Sequence, residues 1–143
     1  MKQVRTEIEI DASPERVWQV LTDLAGWSTW NPLLYRAIGR LVVGERVEIA
    51  FKGPNSKEVC AQCTVVDLEP QRAWSWTYSI VLPFLFRGMH RFTVEPSDSG
   101  RTRFAHWEEF RGLLVPLFVN EAETRRGFEG MDRALRARTE QSA

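Results

Sequence analysis

The chain has 143 residues, and its 19 Lys plus Arg are matched by 19 Asp plus Glu, for a formal net charge of zero. That length suffices for one domain with a substantial core that needs no disulfide or metal, and no basic stripe stands out as a nucleic-acid surface. Six tryptophans and eight phenylalanines are many for this size, and the excess calls for a physical explanation.

Val4, Thr6, Ile8 and Ile10 alternate with Arg5, Glu7, Glu9 and Asp11, the period of a half-buried strand. No apolar signal-peptide core stands before it. The longest apolar stretch, Ile80 to Phe86, contains Pro83 and falls well short of the ~20 residues a bilayer span needs. A soluble, cytoplasmic protein without a membrane span is therefore expected. Ser13 offers an N-cap, with Pro14 suited to the first helical position. Arg16 stands where a capping box would have Glu, so the box is incomplete. Val17, Trp18, Val20, Leu21 and Leu24 form the apolar face of a helix ending near Ala25-Gly26. Trp27 to Trp30 reads as a second short helix, stopped by Asn31-Pro32.

From Leu34 the pattern changes to strands. Tyr35 to Leu41 is the first, followed by a turn at Val43-Gly44-Glu45. Val47, Ile49 and Phe51 alternate up to a turn at Gly53-Pro54-Asn55-Ser56. Val59, Ala61, Cys63 and Val65 share one parity on the next strand, which closes near Glu69-Pro70. Trp74, Trp76 and Tyr78 share a face on the following one, and Val81 to Phe86 reads as an apolar loop. His90, Phe92 and Val94 continue the sheet up to a hairpin turn at Pro96 to Gly100. The last strand, Thr102 to about Gly112, carries Phe104, His106, Glu108 and Phe110 on one side.

The final element, roughly Leu114 to Arg138, is predicted as one amphipathic helix. Leu117, Phe118, Phe128, Met131 and Leu135 lie near one stripe, with Arg125, Arg126, Arg133 and Arg136 mostly outside it. Hairpin-like connections favour an antiparallel sheet. With helices near the start and at the end, the class is α+β, one domain over residues 1–143.

The segments Ile10-Asp11-Ala12-Ser13-Pro14-Glu15-Arg16-Val17-Trp18, Leu21-Thr22-Asp23 and Trp27-Ser28-Thr29-Trp30-Asn31-Pro32 together resemble the START-like superfamily. This superfamily is also called SRPBCC or Bet v 1-like, and the most similar group within it is the polyketide cyclase/dehydrase-like proteins. Further matches are Phe86-Arg87-Gly88 before His90-Arg91-Phe92, Gly100-Arg101-Thr102, and Glu109-Phe110-Arg111-Gly112-Leu113-Leu114 before the long helix. The resemblance covers nearly the whole chain. It implies the helix-grip fold, a curved antiparallel sheet around a C-terminal helix with a deep apolar pocket between them. Function follows less closely, because such proteins range from lipid and sterol carriers to cyclases, ring hydroxylase subunits and co-chaperone domains.

On that fold, Phe51, Trp76, Phe92, Phe104 and Phe110 would face the last helix. Trp30, Leu34, Phe84 and Phe86 would line the mouth, with Phe118, Phe128 and Met131 on the opposite wall. Such a surround suits an apolar ligand. Residue counts alone are equally compatible with a solid core; the fold resemblance favours a cavity. Gly127 and Gly130 each cost about 1 kcal/mol relative to Ala inside a helix, so a bend or a close approach is expected there.

His106 and Glu108 share a strand face about 7 Å apart and are the candidate catalytic pair, a base and its orienter, with His90 and Arg91 near enough to join them. A structural or ligand-anchoring role is the alternative. Cys60-Ala61-Gln62-Cys63 matches C-x-x-C, but on a strand the two thiols point to opposite faces. No metal site and no cofactor are expected, and neither a Ser-His-Asp order nor a phosphate loop occurs. The leading expectation is a binding module for a hydrophobic or aromatic small molecule, lipid-, sterol- or polyketide-like. Two alternatives stand beside it: a cyclase or dehydratase using His106 and Glu108, and an interaction or stress-response domain. In the last, Val81 to Phe86 and Trp27 to Trp30 present an apolar patch. A homodimer is plausible on general grounds.

Overall fold

The computed structural model describes residues 1–53 and 56–141; Pro54 and Asn55 of the turn expected after Phe51 lie outside the described residues. The elements in order are β1 (Lys2–Ile10), α1 (Pro14–Thr22), a 3-10 turn (Leu24–Thr29), β2 (Arg36–Ile38), β3 (Arg46–Lys52) and β4 (Glu58–Glu69). There follow β5 (Ala73–Ser79), β6 (Arg87–Pro96), β7 (Thr102–Arg111), α2 (Val115–Phe118) and α3 (Glu121–Glu140). The strands form one antiparallel sheet in the order β1-β7-β6-β5-β4-β3-β2. With α3 held against it, this is the helix-grip fold.

Alternation decides which side of each strand is buried. Val4, Thr6 and Ile10 of β1 are buried while Arg5 and Glu7 are exposed, as a period of two requires. In α1, Ser13 Oγ accepts from the Arg16 amide at 3.2 Å, and Val17, Trp18, Val20 and Leu21 turn inward. The helix stops at Thr22 rather than at Ala25-Gly26, and the expected second helix is a 3-10 turn starting at Leu24. The Trp27 indole N–H donates to the Leu21 carbonyl at 2.9 Å, fixing that turn beneath α1. Trp27 is fully buried, so the segment from Trp27 to Trp30 does not form the exposed patch expected of it.

Two strands differ from expectation. β2 spans only Arg36–Ile38, and the chain from Arg40 to Glu45 is a turn held by Glu45 N donating to Val42 O at 2.9 Å. The pairing of β4 with β5 shifts between Val65 and Asp67, a bulge that alternation cannot reveal.

The largest departure is in the terminal helix, which does not start at Leu114. A single turn, α2, ends at Phe118, and Val119 and Asn120 are extended. Asn120 Oδ1 then accepts from the Glu123 amide at 3.1 Å and caps α3. Leu117 and Phe118 are consequently off the α3 stripe, whose buried members are Phe128, Met131, Asp132, Leu135 and Thr139. α3 packs mainly on β1 and also touches α1. Arg125 donates to the Arg5 carbonyl of β1 at 2.7 Å.

The aromatic excess has two destinations. Beneath α1 it makes a solid cluster: Trp74 stacks on Phe92 with centroids 4.4 Å apart, and Trp27 meets Trp74, Trp76 and Phe92 at 6.0 to 6.4 Å. Edge and stacked contacts of this kind add ~1 kcal/mol each to the burial itself. Toward the other end of α3 the sheet and helix part, and the space between them stays open.

Candidate functional site

Register places the polar groups in two adjacent rows across the concave face. Trp76 of β5 lies opposite His90 of β6, and His90 opposite Glu108 of β7. One step along, Trp74 lies opposite Phe92, Phe92 opposite His106, and His106 opposite Thr6 of β1. His90 and His106 are therefore diagonal neighbours, a separation that ring side chains bridge. Their Nε2 and Nδ1 atoms are 2.9 Å apart. With ring centroids 5.1 Å apart and planes within 12°, the two imidazoles meet nearly edge to edge in one plane. Phe92 lies parallel to His90 at 4.2 Å, and Phe128 of α3 parallel to His106 at 4.4 Å, so aromatic slabs hold the pair in that plane.

The pair is the middle of a longer chain. The Tyr78 hydroxyl donates to Glu108 Oε2. Glu108 Oε1 lies 3.5 Å from His90 Nδ1, and His106 Nε2 lies 2.9 Å from Asp132 Oδ1 of α3. The last contact is short but bent away from the line of an N–H···O bond, and neither atom has another partner among the described residues.

All five side chains are buried. Burial pushes the Glu108 carboxyl up to about 8, against the opposing pull of the Tyr78 hydrogen bond. Desolvation, and then the neighbouring His106, hold His90 well below the usual imidazole range. Tyr78 is raised by burial and then by Glu108. Near neutrality the wall thus presents an un-ionised carboxyl, a neutral imidazole and a neutral phenol.

These groups close the inner end of a cavity of about 1580 Å³. Its sides come from Ile49, Phe51, Val59, Trp76, Phe86 and Phe110 of the sheet side, from Leu33 and Leu34, and from Gly127, Phe128 and Gly130 of α3. A methyl group on Gly127 would fall 3.1 Å from Leu33 Cδ1, so this glycine admits the Pro32-Leu33 loop against the helix. α2 and the first turn of α3 form the rim.

A sequence profile described as polyketide cyclase / dehydrase and lipid transport matches residues 1–141. The chain belongs to this family. Solved structures agree on the fold. A protein from Mesorhizobium loti superposes with a TM-score of 0.76 at 20% identity, covering 99% of each chain. One from Chromobacterium violaceum gives 0.77 at 14% identity over 98% of each. A START superfamily protein from Mycobacterium smegmatis gives 0.73 at 15% identity over 97% of each. No curated protein matches by sequence comparison.

In this member of the polyketide cyclase / dehydrase and lipid transport family, Leu34, Phe51, Trp76, Phe86, His90, Glu108, Phe110, Phe118 and Phe128 lie on the cavity wall. The other expected residues do not. Phe92, Phe104, His106 and Met131 are sealed behind the wall, and Trp30 packs on Trp27. Phe84 points outward and is 63% exposed. His106 is wholly buried, so Glu108 and His90 are the members of the set that face the cavity. Arg91 is on the opposite face of β6, where it pairs with Asp67 at 2.5 Å and Glu69 at 2.6 Å, and it cannot join them. Cys60 is exposed and Cys63 buried, on opposite faces of β4 and both free.

Tyr78 and Asp132 belong to the chain and were absent from the sequence-derived set. A signal for Asp132 exists: it is the one carboxylate in the stripe Phe128, Met131, Asp132 and Leu135, which is otherwise apolar. Tyr78 had only its shared parity with Trp76.

Proposed function

We propose that the protein binds an apolar or aromatic small molecule carrying one uncharged oxygen function. The body of the ligand lies along Ile49, Phe51, Phe86 and Phe110, and its oxygen meets Glu108, Tyr78 and His90. The observation that carries this reading is that a cavity walled by Ile49, Phe51, Phe86 and Phe110 runs inward to the buried polar side chains of Tyr78, His90 and Glu108. Pockets of this composition bind through burial and orient through the few polar atoms. Trp76 adds support: it is on the wall, and its indole N–H has no partner among the described residues.

Quenching of tryptophan fluorescence and native mass spectrometry against a panel of sterols, fatty alcohols, flavonoids and aromatic ketones test it. Saturable binding at micromolar concentration is expected, and it should be lost when Ile49→Trp narrows the cavity. Indifference to the whole panel would overturn the reading.

A second reading concerns association with another copy of the chain. Val81, Leu82, Phe84, Leu113 and Leu117 are all exposed. Their two loops are tied by Leu113 N donating to Phe84 O at 3.1 Å and Leu114 N to Leu85 O at 2.9 Å. Gly112 permits that approach, with φ of +127° and no room for a methyl group against Leu85 O at 2.3 Å. The result is an apolar lip suited to a homodimer contact. Light scattering on the purified protein decides it: a monomer at all concentrations would dismiss the contact.

A further inference from the structure

The geometry points to Glu108 as the specificity-determining residue of the cavity: its free carboxyl oxygen donates a hydrogen to a ligand carbonyl and so selects neutral ketone-, ester- or quinone-type ligands. This rests on the reading of the cavity as a ligand site, and names which uncharged oxygen that site takes.

The two oxygens of Glu108 are not equivalent. Oε2 is engaged by the Tyr78 hydroxyl, which donates to it. Oε1 makes no hydrogen bond to a described residue, because its contact with His90 Nδ1, at 3.5 Å, is too long and poorly aligned to be one. The Glu108 side chain keeps 8% of its surface accessible, and the residue is on the cavity wall. Tyr78 therefore holds one oxygen in place and leaves the other for a ligand. A carboxyl that accepts at Oε2 has its own hydrogen on Oε1.

The surroundings keep that hydrogen in place. Glu108 is faced by Tyr78 of β5, His90 of β6 and Cys63 of β4, with Val4 of β1 opposite it. Lys2 of β1, the cation of that strand's cavity end, turns its ammonium to the Val119 carbonyl at 2.9 Å. From α3 comes Phe128, parallel to His90 at 5.1 Å, while Asp132 lies against His106 instead. Among the described residues no lysine or arginine pairs with Glu108. Burial is thus uncompensated, and the carboxyl stays neutral up to about 8.

The ligand class follows from what such a donor needs. A carbonyl oxygen has lone pairs and no hydrogen, and meets the need completely. An ammonium brings donors alone. A carboxylate brings a charge to a buried place with no cation to offset it. An alcohol can accept, but its own hydrogen then requires a further acceptor.

Fluorene and 9-fluorenone, which differ by one carbonyl, provide the test. The quantity read is the affinity for fluorenone relative to that for fluorene. In the wild type it should fall about tenfold between roughly pH 6.5 and 9.5, as Glu108 loses its hydrogen. Glu108→Gln, whose amide still donates, should hold the ratio level and high; Glu108→Leu should hold it level and low. The infrared carbonyl stretch of fluorenone bound to the wild type at low pH should lie below its position in hexane. A wild-type ratio that does not change with pH, or an unshifted stretch, would overturn the proposal whether or not the variants fold. If neither compound binds while other panel ligands do, this inference falls and the binding reading stands; silence from every ligand removes both.

Discussion

The ring of Tyr78 lies directly over the backbone of Gly88, so close that a methyl group there would fall 2.5 Å from the ring carbons. The absent side chain is what lets the phenol lie flat across β6 and reach Glu108 on β7. Gly88→Ala is expected to push the ring aside and to destabilise by roughly 1–3 kcal/mol, the usual effect of overfilling a packed site. Chemical denaturation measures the loss. The Glu108 carboxyl band in the infrared should shift as its phenol partner withdraws.

Glu108 sets a pH dependence whose sign can be worked out. Its carboxyl is raised from 4.5 to about 8 on folding, so between those values the folded state binds more protons than the unfolded one. Stability therefore falls as pH rises through this window. His90, depressed from 6.5, works the other way, but only up to 6.5. The interval from 6.5 to 8 thus isolates Glu108, and the wild type should lose about 1–2 kcal/mol across it. Glu108→Gln should be flat there and the more stable protein at pH 8. Equal slopes for the two proteins in urea titrations would contradict the assignment.

Asn120 caps α3 after the extended break at Val119. Asn120→Ala should cost about 1 kcal/mol in thermal unfolding, with the far-ultraviolet spectrum little changed. Had the helix run unbroken from Leu114, the same substitution would be neutral or favourable.

The two cysteines should report separately. Cys60 is exposed, while Cys63 is buried and its thiol is pushed far up by desolvation and then by Glu108. A chromogenic disulfide reagent is expected to titrate one thiol in the native protein and two in denaturant. Two fast thiols at the start would mean that the inner face of β4 opens readily.

Much of this architecture was legible in the chain. Alternation from Val4 to Ile10 and from Phe104 to Phe110 assigned faces correctly, and Ser13-Pro14 marked the start of α1. The same parity put His106 and Glu108 inward, yet could not order them in depth. Which of two inward groups meets a cavity depends on where α3 covers the sheet, and that is a tertiary fact. Tyr78 was hidden for a related reason: alternation groups it with Trp74 and Trp76, although Trp74 lies under α1 and Tyr78 on the cavity wall. The break before α3 does have a signal in the sequence, since Asn120 with Glu123 three residues on is a capping pattern. Leu117 and Phe118, apolar at helical spacing, masked it.

The hydrogen bond from Arg125 to the Arg5 carbonyl has a consequence beyond anchoring α3. β1 and β2 are the outermost strands of the sheet, places where a foreign chain could append itself by backbone pairing. β2 offers only three residues, and along β1 one outward carbonyl is already occupied by the guanidinium. The margins of the sheet are thereby blunted against fibrillar growth.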